Sequence, residues 1–87
     1  MFRMVVEDVF VIRRRGTVAT GRVESGQVSV GDTVRVNDGE SFEVSGVETF
    51  RKKLDTAGPG ENVGLVLREA EKGQVNRGDV LTATTVY

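Results

Sequence analysis

Acid–base chemistry has two candidate groups in this chain, both of them acidic pairs: Glu7 with Asp8, and Glu69 with Glu71. The sequence has no histidine and no cysteine, so it lacks the commonest general base and any thiolate nucleophile or zinc ligand. Adjacent residues of a strand point to opposite faces, so Glu7 and Asp8 do not form a dyad by spacing. We therefore expect no enzymatic activity, no metal and no other cofactor.

The sequence gives little support for phosphate binding or nucleotide hydrolysis. The sequence contains neither a G-x-x-x-x-G-K-[ST] loop nor a G-x-G-x-x-G fingerprint, which argues strongly against nucleotide hydrolysis. Two basic runs, residues 13–15 with Arg22 nearby and residues 51–53, are either local phosphate contacts or solvated turns, and we favour a solvated turn for Arg14 and Arg15. The 12 basic and 13 acidic residues argue against gripping a duplex through its phosphates. This charge balance does not exclude a small site that binds one nucleotide end.

The length and composition are typical of one small folded domain, which we place at residues 1–87. The 11 glycines and single proline indicate many tight turns rather than a flexible linker. No apolar run is long enough to span a membrane, and the N-terminus has no signal-peptide pattern. We therefore expect a cytoplasmic protein with no membrane partner.

Alternating apolar residues separated by turn signals predict strands at residues 4–13, 17–24, 33–37, 41–50, 61–67 and 79–83. We expect residues 51–56 to form a helical turn or a loop, residues 69–77 to form a charged loop with Val75 directed inward, and residues 84–87 to fray. No amphipathic helix is predicted. This pattern favours an all-β fold, a small closed barrel.

Three glycines are expected to have specific structural roles. Gly16 ends the predicted first hairpin turn, where it can adopt positive φ. Gly39 follows Asp38, and the Asp-Gly pair suits a type I′ hairpin turn with positive φ at the glycine. Gly21 lies on the inner face of the second strand, where a small residue allows close backbone approach.

An excess of apolar residues falls on the outward face of the predicted strands. The residues expected to fill the barrel are Val9, Val11, Thr17, Ala19, Val63 and Leu65. Strand alternation then directs four others outward: Phe10, Ile12, Val18 and Val66. A small monomer should not leave these four in water as one patch. Two interpretations stay open, namely cover by the segment 51–54 or by self-association, and a functional site covered by a ligand or a partner chain.

Three segments of the chain closely resemble the second domain of elongation factor Tu: VEDVFVIRRRGTVATGRVESGQVSVGD, GVETFRKKLDTAGPGENVGLVLR and RGDVL. The motifs keep their order, and GTVATGRV and GENVG are the most specific parts. This domain recurs in translational GTPases. The resemblance implies a six-stranded antiparallel β-barrel that helps to hold the aminoacylated 3′ end of tRNA.

The resemblance also implies which residues would form the site. The terminal adenosine would lie near Ile12, Val18, Glu48, Arg51 and Val66. The aminoacyl group would lie near Glu7, Asp8, Phe10, Thr20 and Asn62. These residues fall on the face that strand alternation independently marks as unusually apolar.

Departures from the family pattern also matter. We expect no GTPase domain and no third domain within these 87 residues. Arg13 and Arg14 stand where small or polar residues are usual in the family, and residues 37–45 form a shorter segment than in the elongation factor. Our leading hypothesis is a non-catalytic translation module that weakly binds an (aminoacyl-)tRNA 3′ end or another RNA or nucleotide. The alternative is a protein-interaction module that docks a translational GTPase, another translation factor, a ribosomal protein or a second copy through the same face. Monomer and weak dimer both stay open.

Overall fold

The computed structural model describes residues 1–49 and 52–83, and all regular structure in this part of the chain is β. No helix long and apolar enough to cross a membrane occurs among these residues. Nine strands follow in order: β1 (Phe2–Ile12), β2 (Gly16–Ser25), β3 (Val28–Ser29), β4 (Thr33–Val36), β5 (Ser41–Thr49), β6 (Lys52–Leu54), β7 (Thr56–Ala57), β8 (Asn62–Arg68) and β9 (Val80–Ala83).

Six of these strands close into a ring. The main sheet has the order β4-β9-β1-β2-β8-β5-β6, and a further pairing of β4 with β5 joins its two sides. Every pairing in the ring is antiparallel. Strand β6 extends the sheet beyond the ring, and β3 pairs with β7 in a separate two-stranded sheet. The predicted all-β fold and six-stranded antiparallel barrel are therefore confirmed.

Alternate side chains of the strands point inward and fill the interior of the ring. In β8 the inward residues are Val63, Leu65 and Leu67, and in β1 alternate residues from Phe2 to Val6 are buried. The core also takes Ala19 and Val23 from β2, Val34 and Val36 from β4, Val44 and Val47 from β5, and Leu81 and Ala83 from β9. Val75 is buried in the loop after β8, as predicted.

The polar residue Thr17 is fully buried within this apolar interior. Its Oγ1 donates a hydrogen bond of 2.7 Å to the Ala70 carbonyl oxygen. The bond satisfies the hydroxyl in a place where water cannot reach it. It also ties the loop after β8 to the second strand of the barrel.

Val11 was predicted to fill the barrel, but it is 55% exposed. Strand β1 pairs with β9 only as far as Val5, opposite Val80, and continues beyond that point with β2 as its neighbour. Val11 therefore lies on the part of the hairpin that extends past the closed ring. Val9, nearer the ring, is partly buried and packs against the core.

The segment 51–56, predicted as a helical turn or loop, instead contains β6 and the first residue of β7. Strand β6 pairs with β5, placing Leu54 opposite Val47, and Leu54 packs against the core. Lys52 and Lys53 are exposed because β6 is the last strand of the sheet. An edge strand with polar side chains lacks the apolar alternation that would have identified it. The expected frayed segment, residues 84–87, lies outside the described residues.

The two predicted hairpin turns differ in outcome. Gly16 has φ +116°, as expected, and Arg14 within the same turn has φ 70°. In the second turn the positive φ angles belong to Asn37 and Asp38 rather than to Gly39. The Gly39 amide donates to the Val36 carbonyl oxygen at 2.8 Å, so the turn is centred one residue earlier than the Asp-Gly pair indicated.

Replacing Gly21 with alanine should destabilise the barrel. A Cβ at this position would lie 2.4 Å from the Val5 carbonyl oxygen and 3.2 Å from Met4 Cγ. Backbone must move to accept it, so we expect the free energy of unfolding to fall by about 2 kcal/mol or more. The control is Gly58→Ala, whose Cβ would have its nearest contact at 3.7 Å. Equal melting temperatures for the two variants in thermal denaturation would contradict this placement.

Replacing Thr17 with valine should also destabilise the fold, since the Ala70 carbonyl would lose its buried donor. We expect a loss of about 1–3 kcal/mol in chemical denaturation, and recovery of most of it in Thr17→Ser, which keeps the hydroxyl. A valine variant as stable as the parent chain would show that the hydrogen bond is not needed.

Candidate functional site

The register of four strands aligns the outward residues into two cross-strand rows. Directly opposite residues of antiparallel strands project from the same face, so each row forms a continuous band. The apolar row consists of Phe10, Val18, Val66 and Gly46. The polar row consists of Asp8, Thr20, Gly64 and Glu48. Residues far apart in the chain therefore share one row: Asp8 and Glu48, 40 positions apart in sequence, lie at its two ends.

A cleft of about 340 Å³ opens on this face, and we call it the outer-face cleft. Its volume is at the lower end of the range for small-molecule sites. It is lined by Glu7, Val18, Thr20, Gly21, Glu48, Thr49, Asn62, Val63 and Gly64. The structure therefore brings together five of the residues predicted for the site: Glu7, Val18, Thr20, Glu48 and Asn62.

Two glycines shape the floor of this face. A Cβ at Gly64 would lie 3.0 Å from Val18 Cγ1, and a Cβ at Gly46 would lie 3.2 Å from Val66 Cγ2. The valine side chains thus lie against the bare backbone of the neighbouring strand. Any larger residue at either position would push a valine upward and fill the space above it.

The four outward apolar residues do not form one exposed patch, and two of them are buried without the cover by another segment, a ligand or a second chain that was expected from the sequence. Val66 is completely buried and Val18 is 7% exposed, although neither belongs to the core inside the ring. The glycines beside them let both side chains sink below the surface. Phe10 remains 53% exposed and Ile12 is partly buried.

Ile12 lies away from the outer-face cleft. It pairs with Gly16 at the end of the first hairpin and lines a separate groove of about 880 Å³ beside the arginine turn, residues 13–15. Arg51, the remaining predicted residue, lies outside the described residues.

Glu48 forms an ion pair that was not predicted. Arg15 Nη2 lies 3.5 Å from Glu48 Oε2, and a Cβ at Gly46 would lie 3.8 Å from the same nitrogen. Arg15 therefore reaches from the first hairpin turn across Gly46 to β5, rather than being only a solvated turn residue. The contact could not be predicted because it depends on the pairing of β5 with β8, two strands that are not consecutive in the chain.

Arg22 does not join the arginine turn. It pairs with Asn62 near the other end of β2 and lies close to Gly60. Six residues of extended strand separate it from Gly16, which corresponds to about 20 Å.

A β-bulge positions the two acidic residues of β1. The register shifts between Val6 and Asp8, so Glu7 is the extra residue. Asp8 Oδ1 accepts a hydrogen bond of 2.9 Å from the Val9 amide. Thr20 Oγ1 donates to the Asp8 carbonyl oxygen at 3.4 Å. Glu7, by contrast, is exposed to solvent and is one of the residues that line the cleft.

The chemistry available in the outer-face cleft is that of binding. The polar side chains around it offer carboxylate acceptors from Glu7 and Glu48, the hydroxyl of Thr20 and the amide of Asn62. Val18 supplies an apolar surface beside them. The described residues contain no group of three or more side chains placed to hold a metal ion.

Comparison with known proteins agrees with this fold. The family model described as elongation factor Tu domain 2 matches residues 16–82. The structure is similar to that of a bacterial selenocysteine-specific elongation factor, EF-Sec, with a TM-score of 0.85 and 30% sequence identity. The match covers 94% of this chain and 14% of the elongation factor, so the chain corresponds to one module of a much longer protein. The chain belongs to the elongation factor Tu domain 2 family, the β-barrel module of translation factors that is itself non-catalytic.

Proposed function

We propose that this chain binds the 3′ end of a tRNA, with or without its amino acid, through the outer-face cleft and without catalysing a reaction. The observation that carries the proposal is the pair of cross-strand rows, which set an apolar floor beside polar groups on one face. Membership of a translation-factor family supports an RNA ligand over an unrelated small molecule. The expected macromolecular partners belong to the translational machinery and include a GTPase or the ribosome. We expect the chain to bind them in the cytoplasm.

The terminal adenosine would use the apolar side of the site. Its base would lie against Val18, the outward apolar side chain that lines the cleft, beside the bare backbone of Gly64. Glu48 would accept a hydrogen bond from a ribose hydroxyl, which DNA lacks at the 2′ position. The Arg15–Glu48 pair would have to open, and this costs little because its side chains are 47% and 29% exposed.

An esterified amino acid would use the acidic side of the cleft. Its α-amino group is a cation when protonated, and the exposed Glu7 carboxylate is suited to receive it. The Asn62 side-chain amide would donate a hydrogen bond to the ester carbonyl oxygen. We propose that Asp8 acts through the backbone, because its carboxylate already holds the Val9 amide. Arg51, which follows β5 in sequence, is proposed to contact a phosphate.

We expect the interaction to be weak. The cleft accommodates about one nucleotide, and the net charge of -1 gives little general attraction for RNA. A dissociation constant of about 0.1–1 mM would correspond to such a small contact. The salt dependence should be shallow, with a slope of about −0.7 for each phosphate contacted.

An NMR titration of labelled protein with a short RNA ending in CCA should move the amide signals of Phe10, Thr20, Glu48 and Asn62. Addition of an esterified amino acid should enlarge the shifts near Glu7 and Asn62, because the acidic side of the cleft would then be occupied. The control ligand is the same RNA lacking its terminal adenosine. No shifts at about 1 mM CCA-ended RNA would contradict the proposal and favour the protein-docking alternative.

The substitution Glu48→Gln should weaken binding of the CCA-ended RNA by about five- to tenfold, since it removes a charged acceptor from the ribose. The matched control is Glu43→Gln on the same strand. Glu43 also forms an exposed ion pair, with Arg68 at 3.2 Å, but it lies outside the cleft. Equal losses of affinity in the two variants would indicate a general charge effect and would contradict the assigned role of Glu48.

A further inference from the structure

The second half of β1 has a free edge. The last backbone hydrogen bonds on the β9 side are those of Val6, whose amide donates to Asp79 and whose carbonyl accepts from Gly78, both at 2.8 Å. The Glu7 carbonyl accepts from Arg77 Nε at 3.0 Å. From Asp8 to Ile12, β1 pairs with β2, and no described residue forms a backbone–backbone hydrogen bond to its other edge. Within this stretch the Val9 amide donates to the Asp8 carboxylate at 2.9 Å.

This edge differs from the other open edge of the main sheet. Strand β6 is three residues long and carries the exposed Lys52 and Lys53, features that protect an edge from pairing with another chain. The free edge of β1 carries instead Phe10 and Val11, which are 53% and 55% exposed. These neighbours project from opposite faces of the strand, so both faces of the edge are apolar.

The charges beside this edge are self-complementary. The acidic residues Glu7 and Asp8 precede the apolar pair, and Arg13 and Arg14 follow it. None of the four has an ion-pair partner within the part of the chain that is described. If two copies of the strand align antiparallel, the acidic start of each lies beside the basic end of the other. A parallel alignment would bring like charges together.

We propose that two copies of this chain associate through the free edges of β1, as antiparallel strands related by a two-fold axis near Phe10 and Val11. The two barrels would then share one continuous sheet, and Phe10 and Val11 of each copy would be covered by the other. The interface is one short strand per copy, far below the area of a stable dimer, so the dimer is weak, with a dissociation constant of about 0.1–1 mM. This inference does not rest on the proposed RNA ligand.

Sedimentation equilibrium of the whole chain without RNA tests the proposal with two charge-inverted variants. One carries Glu7→Lys with Asp8→Lys, and the other carries Arg13→Glu with Arg14→Glu. Each variant alone should be monomeric, because like charges then meet at both ends of the interface. An equimolar mixture of the two should form a mixed dimer, since each charge again faces its opposite. The control variant, Lys52→Glu with Lys53→Glu on β6, should associate as the parent chain does.

The substitution Val11→Lys provides a second test that keeps the charged clusters intact. A lysine in the middle of the edge should weaken association at least tenfold. Val11 is exposed and does not line the outer-face cleft, so folding and any RNA binding should be retained. A parent chain that stays monomeric up to about 1 mM would overturn the proposal. It would also be overturned if the two charge-inverted variants failed to associate when mixed, or if Val11→Lys associated as strongly as the parent chain.

Discussion

The register of β2 against β1 and β8 is the constraint on which the barrel and the cleft both depend. This register directs Thr17, Ala19 and Gly21 inward and Val18 and Thr20 outward. A slip by one residue would exchange the two sets and expose the interior of the barrel to water. The small size of Ala19 and Gly21 allows the strands to approach closely, while the outward valine lies over a glycine of the neighbouring strand. The same strand pairing therefore determines both the barrel interior and the candidate site on its outer surface.

The family explains the barrel scaffold, whereas the candidate site depends on local features of its surface. Family membership accounts for the barrel and for the class of protein in which it occurs. The binding argument depends on narrower features, namely the depressions at Gly46 and Gly64 and the position of Glu48. Phe10 connects both proposals, since it lies in the apolar row and also on the free edge of β1. Dimerisation through that edge would therefore compete with a ligand that needs Phe10.

The strands of the ring could be predicted because each has a buried and a solvated face that the alternation of residues records. Residues 52–57 could not, because an edge strand with exposed lysines carries no such pattern. The second hairpin turn was misplaced by one residue since Asn37 tolerates positive φ nearly as well as glycine does. The burial of Val66 was missed for another reason: it depends on Gly46 in a strand about twenty residues away in sequence. The resemblance to a family supplied most of the candidate site residues, whereas the Arg15–Glu48 pair required the three-dimensional register.

The most direct measurement of the central claim is an intermolecular NOE experiment with methyl-labelled protein and RNA ending in CCA. The account predicts contacts between the adenine protons and the methyl groups of Val18, at the floor of the outer-face cleft. Contacts of the RNA with Val11 and the arginine turn, without any to Val18, would contradict it. That result would place the ligand in the groove beside the first hairpin and leave the glycine-floored cleft without a role in binding.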